Sequence, residues 1–97
     1  MPITVTTVQT RPDTTARFWE FNNATSEYLQ NTFRATGKVL DSSVVESANG
    51  LTRTIVRTFA DKPAFVQWKE DSVRLEATTG RGEYETTHQH TRVDTIV

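Results

Sequence analysis

The chain contains no cysteine. Disulfides and thiolate metal sites are therefore excluded, and the composition suits a reducing cytosol, so a cytoplasmic location is the expectation. No apolar run approaches the ~18 residues of a membrane span. The opening MPITVTTVQT has no basic stretch followed by a long apolar one, so neither membrane insertion nor a signal peptide is expected. An excess of either charge is also missing. Eleven basic residues stand against twelve acidic ones, a net charge of −1, which gives no electrostatic basis for nucleic-acid binding. Glycine and proline number only four and three. With no linker, repeat or low-complexity segment in view, residues 1–97 are expected to form a single domain.

What is present is threonine, unusually frequent, and nine aromatic residues. A chain this short buries only ~60–65% of its unfolded surface, so burial of a sheet face in a homodimer would strengthen a modest core. The stretch Leu51–Trp68, LTRTIVRTFADKPAFVQW, organises the rest. Thr, Val, Ile and Phe over 51–59 suit a strand. Asp61 offers a cap oxygen, Pro63 fits the first turn of a helix, and Phe65 and Trp68 follow at helical spacing.

Ile3–Thr10 is expected as the first strand, with Ile3, Val5, Thr7 and Gln9 on one face and Val8 on the other; Arg11-Pro12 ends it. Asp13, Thr14 and Thr15 are cap candidates for the longest helix, over roughly residues 14–35, where Phe18, Phe21, Thr25, Leu29 and Phe33 form one stripe bordered by Tyr28. Gly37 ends it. Lys38–Ser47 is the second strand, and Asn49-Gly50 signals a two-residue hairpin turn. That turn pairs Glu46 with Arg53, Val44 with Ile55, Ser42 with Arg57 and Leu40 with Phe59. The other face carries Val39, Val45 and Val56 among threonines. Neither face reads as solvent-like, which fits a sheet covered on both sides. Lys69-Glu70-Asp71 marks a break. Residues 71–88 read as a further helix or a continuation, with a loop at Thr79–Gly82 followed by a long strand as the competing reading. Thr91–Val97 is the last strand.

This order, βαββαβ, is a ferredoxin-like α+β layout with a four-stranded antiparallel sheet and helices on one face. Around Phe59, Asp61, Phe65 and Trp68 the sequence also resembles the antibiotic-biosynthesis monooxygenase-like proteins of the dimeric α+β barrel superfamily. Their local pattern is a strand ending in an aromatic or aliphatic residue, a polar turn, an acidic or serine cap, and a helix carrying an aromatic residue and then His or Trp. Arg81–Tyr84 before a final strand also fits the layout. The resemblance implies a homodimer joined through the sheet face. It does not select an activity, because such families include cofactor-independent oxygenases, haem-degrading oxygenases and proteins with no assigned reaction. The haem-degrading group resembles an Asn–Trp–His constellation with its Asn on the first strand. Here no Asn lies between Ile3 and Thr10, and His88 is twenty residues beyond Trp68. The triad is not carried over, and no cofactor is expected.

Four residues are candidates for contact with a small molecule: Trp68, Tyr84, His88 and Arg57. Trp68 and Tyr84 suit the walls of a pocket for a planar aromatic ligand, against the plainer reading of core anchors. His88 and His90 would face one side of a strand, a spacing that holds metals, with Glu83, Glu85 or Asp94 as third ligand. Nothing in the spacing fixes that third ligand, so a solvated turn is the weightier reading and no metal is expected. Arg53 and Arg57 share a face with Leu51, Ile55 and Phe59 and suit clamping of a carboxylate or phosphate. The competing reading pairs Arg53 with Glu46 and Arg57 with an acidic residue of a second subunit. Three functions follow: a binding or accessory protein, a cofactor-independent monooxygenase acting on an aromatic or polycyclic compound, or an interaction subunit of a larger assembly. Fold alone does not choose among them.

Overall fold

The computed structural model describes residues 1–97. The chain runs β1 (Ile3–Thr10), α1 (Asn23–Leu29) continued by a π-helical turn (Gln30–Arg34), β2 (Val39–Glu46), β3 (Thr52–Phe59), α2 (Lys62–Glu70), α3 (Ser72–Ala77), α4 (Arg81–Thr87) and β4 (Thr91–Ile96). The four strands form one antiparallel sheet in the order β2-β3-β1-β4. This is the expected ferredoxin-like α+β arrangement. No helix is long and apolar enough to cross a membrane.

The strand-turn-helix unit at Leu51–Trp68 forms as its residue types dictate. The Asp61 side chain accepts the Ala64 amide at 2.9 Å, and Pro63 lies in the first turn of α2. Trp68 and Phe65 pack on the core of Leu29, Phe33, Val39, Phe59 and Ala64. Burial of these apolar side chains is the main source of stability, at roughly 1.5–3 kcal/mol for each one fully buried.

The first helix departs from expectation. It begins at Asn23, not near residue 14, because Asn22 caps it by accepting the Thr25 amide at 2.8 Å. Residues 11–22 take an irregular path instead. Asp13 Oδ1 accepts the Thr15 amide at 2.9 Å, and Arg11 donates to the Ala16 carbonyl at 2.9 Å and to the Gly50 carbonyl at 2.8 Å. Phe18 is buried all the same, beneath the Arg11 guanidinium at 4.3 Å. The apolar stripe thus holds for Thr25, Leu29 and Phe33, while Phe18 reaches the interior by another route. The Ala35 amide bonds the Gln30 carbonyl at 2.8 Å, five residues back, which widens the last turn before Gly37 ends it at φ +80°.

The hairpin register holds from Glu46/Arg53 through Val44/Ile55 to Ser42/Arg57. Its turn is different. The Ser47 amide bonds the Thr52 carbonyl and the Gly50 amide bonds the Ser47 carbonyl, so the loop has four residues, 48–51, and only Gly50 takes positive φ. A two- and a four-residue loop centred on the same point give the same pairing, which is why the register survives. A bulge between Val39 and Asp41 then sets Val39, not Leu40, opposite Phe59. Val39 is buried, and Leu40 turns outward at 50% exposure.

Residues 71–88 form two short helices. Asp71, with ψ 121°, ends α2 and caps α3, and Gly80 at φ +85° separates α3 from α4. The strand alternative for this segment is overturned. So is the placement of His88 and His90 on one strand: His88 caps α4, Gln89 takes φ 58°, and β4 starts only at Thr91. Within one chain the helices cover a single face of the sheet. The opposite face presents Thr4, Thr6, Val8, Thr54, Val56, Thr58, Ser43, Val45, Val93 and Thr95, with Val45 and Val93 more than 60% exposed.

Candidate functional site

A cavity of about 510 Å³ lies between the helix-side face of the sheet and the segments that cover it. Its floor alternates along the strands, as the period of two requires: Val5, Thr7 and Gln9 from β1, Arg53, Ile55, Arg57 and Phe59 from β3, and Arg92, Asp94 and Ile96 from β4. Its roof comes from Trp19, Glu20 and Phe21 of the irregular segment, Phe65 and Trp68 of α2, Arg74 of α3 and Arg81 of α4. The short helices do not span the sheet, so Val44 and Ile96, 57% and 55% exposed, also border this space.

Two tryptophans set its character. Trp68 packs edge-on against Phe33 and Phe59, with ring centroids 5.1 and 5.7 Å away. The Arg57 guanidinium stands 4.9 Å from the Trp68 ring and that of Arg74 stands 5.7 Å from it. Trp19 meets Phe21 edge-on at 5.0 Å, with the Arg81 guanidinium 5.5 Å from its ring. Cations over indole faces gain from the ring quadrupole, more so as water is excluded.

The charges in the wall fall into two groups. Arg53 is fully engaged: it donates to Gln9 Oε1 at 2.6 Å and to the Trp19 carbonyl at 2.9 Å, and it pairs with Glu20. Glu46, directly across the ladder, does not take it, which corrects the pairing expected from register. Arg92 pairs with Glu85 at 3.3 Å and Asp94 at 3.5 Å, and Asp94 also accepts the Thr7 hydroxyl at 2.6 Å. Arg57 and Arg81 enter no ion pair. Burial lowers the Arg57 pKa, and the neighbouring Arg74 and Arg53 lower it further. Arg74 and Arg81 are lowered in the same direction, again by burial first. All three remain charged at neutral pH.

The four candidate residues fall into two places. Trp68 and Arg57 come together in the cavity. Tyr84 and His88 lie 4.4 Å apart, ring to ring, beside a separate hollow bordered by Asp13, Thr15 and Gln89. There the Tyr84 hydroxyl donates to the Arg17 carbonyl. His90 is packed against Phe18 and Tyr84 at 5.6 and 5.7 Å, buried, with its Nδ1 unpartnered. Burial lowers its pKa, with His88 and Arg11 acting in the same sense. No three His, Asp or Glu side chains converge in metal-binding geometry. Arg74 and Arg92 were not among the residues singled out from the sequence, and Arg81 entered there only as the start of the Arg81–Tyr84 stretch. They sit on three different elements, and no spacing along the chain announces that they meet.

No protein-family model matches the chain, and no curated protein matches it. Among solved structures, that of Rv0793 from Mycobacterium tuberculosis superposes over 100% of this chain and 93% of the other, with a TM-score of 0.68 and 17% sequence identity. At that identity the likeness concerns the fold.

Proposed function

We propose that the protein is a homodimeric binding protein for a planar small molecule, of the dimeric α+β barrel type. The observation that carries this is the cavity of about 510 Å³ with Trp68, Phe59 and Phe65 on one side and Trp19 and Phe21 on the other. Ligand sites are commonly ~300–1,000 Å³ and mostly aromatic and apolar with a few polar groups. The open Thr/Val face of the sheet supports the dimer, because it lies opposite the cavity and is free to pack on its equivalent in a second copy.

Binding is favoured over monooxygenation by what the wall contains. Its two carboxylates, Glu20 and Asp94, are both held by arginines. Tyr84 and His88, the residues suited to moving a proton, face the other hollow. General acid–base chemistry needs such a group within hydrogen-bond reach of the substrate.

A panel of flat three-ring compounds, followed by tryptophan fluorescence and thermal shift, tests the reading. A binder held at 100 times its Kd adds about 2.7 kcal/mol of stability, and Trp68→Leu abolishes the effect. If no compound of the panel shifts either signal in the folded protein, the reading fails.

A further inference from the structure

The chain as a whole is almost neutral, yet the cavity is not. Six of the eleven basic residues line it, against two of the twelve acidic ones. Such a concentration is costly in an empty protein, since like charges repel most where water is scarce. Arg53 and Arg92 are accounted for by protein partners. Arg74 spends two donors on the carbonyls of Trp68 and Lys69, at 2.7 and 3.1 Å, and keeps a third nitrogen free. Arg57 pairs with no carboxylate. A second copy docked on the Thr/Val face cannot supply one, because Arg57 projects from the other side of the sheet, as do its ladder neighbours Val5 and Ser42. No carboxylate comes within ion-pair distance of either guanidinium at the point where the two stand over one indole, and Asp94 and Asp71 act on them only from farther away.

Resting on the binding reading above, we infer that the ligand is an aromatic oxyanion. Its acid group, a carboxylate or a phosphate, is held by Arg57 with Arg74 beside it, and its ring packs against Trp68. A guanidinium offers parallel N–H donors that match either acid, and its flat face remains free to lie on the indole. Arg81, over Trp19, adds to the positive field without touching the acid group.

Calorimetric titration of the whole protein with anthracene-2-carboxylate, its neutral methyl ester and 2-naphthyl phosphate tests this. The acid is expected to bind roughly 10- to 100-fold more tightly than the ester, the range for one or two charge-assisted hydrogen bonds. Arg57→Gln should bring the acid down to the affinity that the same variant shows for the ester. Arg57→Lys, which keeps the charge but loses the fork, should fall between the two. A cooperative thermal melt and a parent-like circular dichroism spectrum show that the variants are folded. Tighter binding of the aryl phosphate than of the carboxylate would assign the site to phosphate within the same proposal. Equal binding of acid and ester overturns the oxyanion inference and leaves the planar-ligand reading standing. Failure of all three probes to bind overturns both.

Discussion

The guanidinium of Arg53 pairs with Glu20, thirty-three residues earlier, and not with Glu46, its neighbour across the β2–β3 ladder. The choice has a structural reason. Arg53 is 6% exposed and lies on the covered face of the sheet, where Gln9 and the Trp19 carbonyl already wait as acceptors. Glu46 is exposed at the end of an edge strand. Arg53 thereby ties the irregular segment to the sheet and fixes the roof of the cavity.

Arg53→Met is expected to be strongly destabilising, by about 3 kcal/mol or more, because it strands the buried Gln9 side chain and the Trp19 carbonyl. Glu20→Gln should cost at most about 1 kcal/mol, since the carboxylate is 64% exposed and screened by water. Glu46→Gln should be silent. Urea denaturation of the three variants measures the ranking. A Glu46 variant as damaging as the Arg53 variant would show that the cross-strand pair is the one that matters.

Trp68→Ala should lower stability by about 3 kcal/mol, toward the lower end for aromatic truncation because the ring is only partly buried. For a domain of this size that is a fall of ~12–24 °C in Tm. The same ring contacts Phe33 and Phe59 and borders the cavity, so Trp68→Phe separates the roles. It should recover most of the stability and little of the ligand affinity. Thermal melts with and without a bound planar compound check both.

His90 supplies a pH dependence. Its folded pKa lies below 6.5, so the unfolded chain takes up the proton more readily and protonation favours unfolding. The contribution is fully present above pH ~6.5 and is lost as pH falls through the folded value. The Asp13 carboxyl, lowered by its hydrogen bonds to Thr15, acts only below pH ~4. Between pH 7.5 and 5 the Tm should therefore drop in the parent protein and drop less in His90→Asn. Equal slopes in the two proteins would remove His90 from the account.

The Thr/Val face predicts the oligomer. Light scattering at micromolar concentration should give a dimer. Val45→Glu with Val93→Glu, two carboxylates placed on the exposed face, should give a folded monomer whose cavity is unchanged. A parent protein that is monomeric at that concentration would rule the dimer out.

Much of the architecture was legible because it rests on local rules. Asp61 with Pro63 starts α2, Gly37 stops the first helix, and Asn49-Gly50 centres the hairpin, all by backbone preferences that need no distant partner. The start of α1 was not. Phe18, Phe21 and Leu29 fit a helical wheel, but the wheel is blind to Asn22, whose cap competes for the same backbone. The site was half legible. Arg53 and Arg57 share a face by strand alternation, and Trp68 follows from the turn. Arg74, Arg81 and Arg92 join them only through tertiary packing. Tyr84 and His88 fell elsewhere because α4 ends at His88 and turns its aromatic residues toward Pro12 and Asp13.

The bulge at Val39–Asp41 bears on how this sequence tolerates change over generations. Because Leu40 is the extra residue, deleting its codon would bring Val39 opposite Phe59 with no interruption and leave the buried set untouched. Such a deletion is expected to preserve the fold. It would also straighten an outer strand whose kink interrupts the regular row of free amides and carbonyls that other chains pair with. The shortened protein should therefore remain native in dilute solution and lose solubility on concentration, so the irregularity serves coexistence with other copies more than the stability of any one of them.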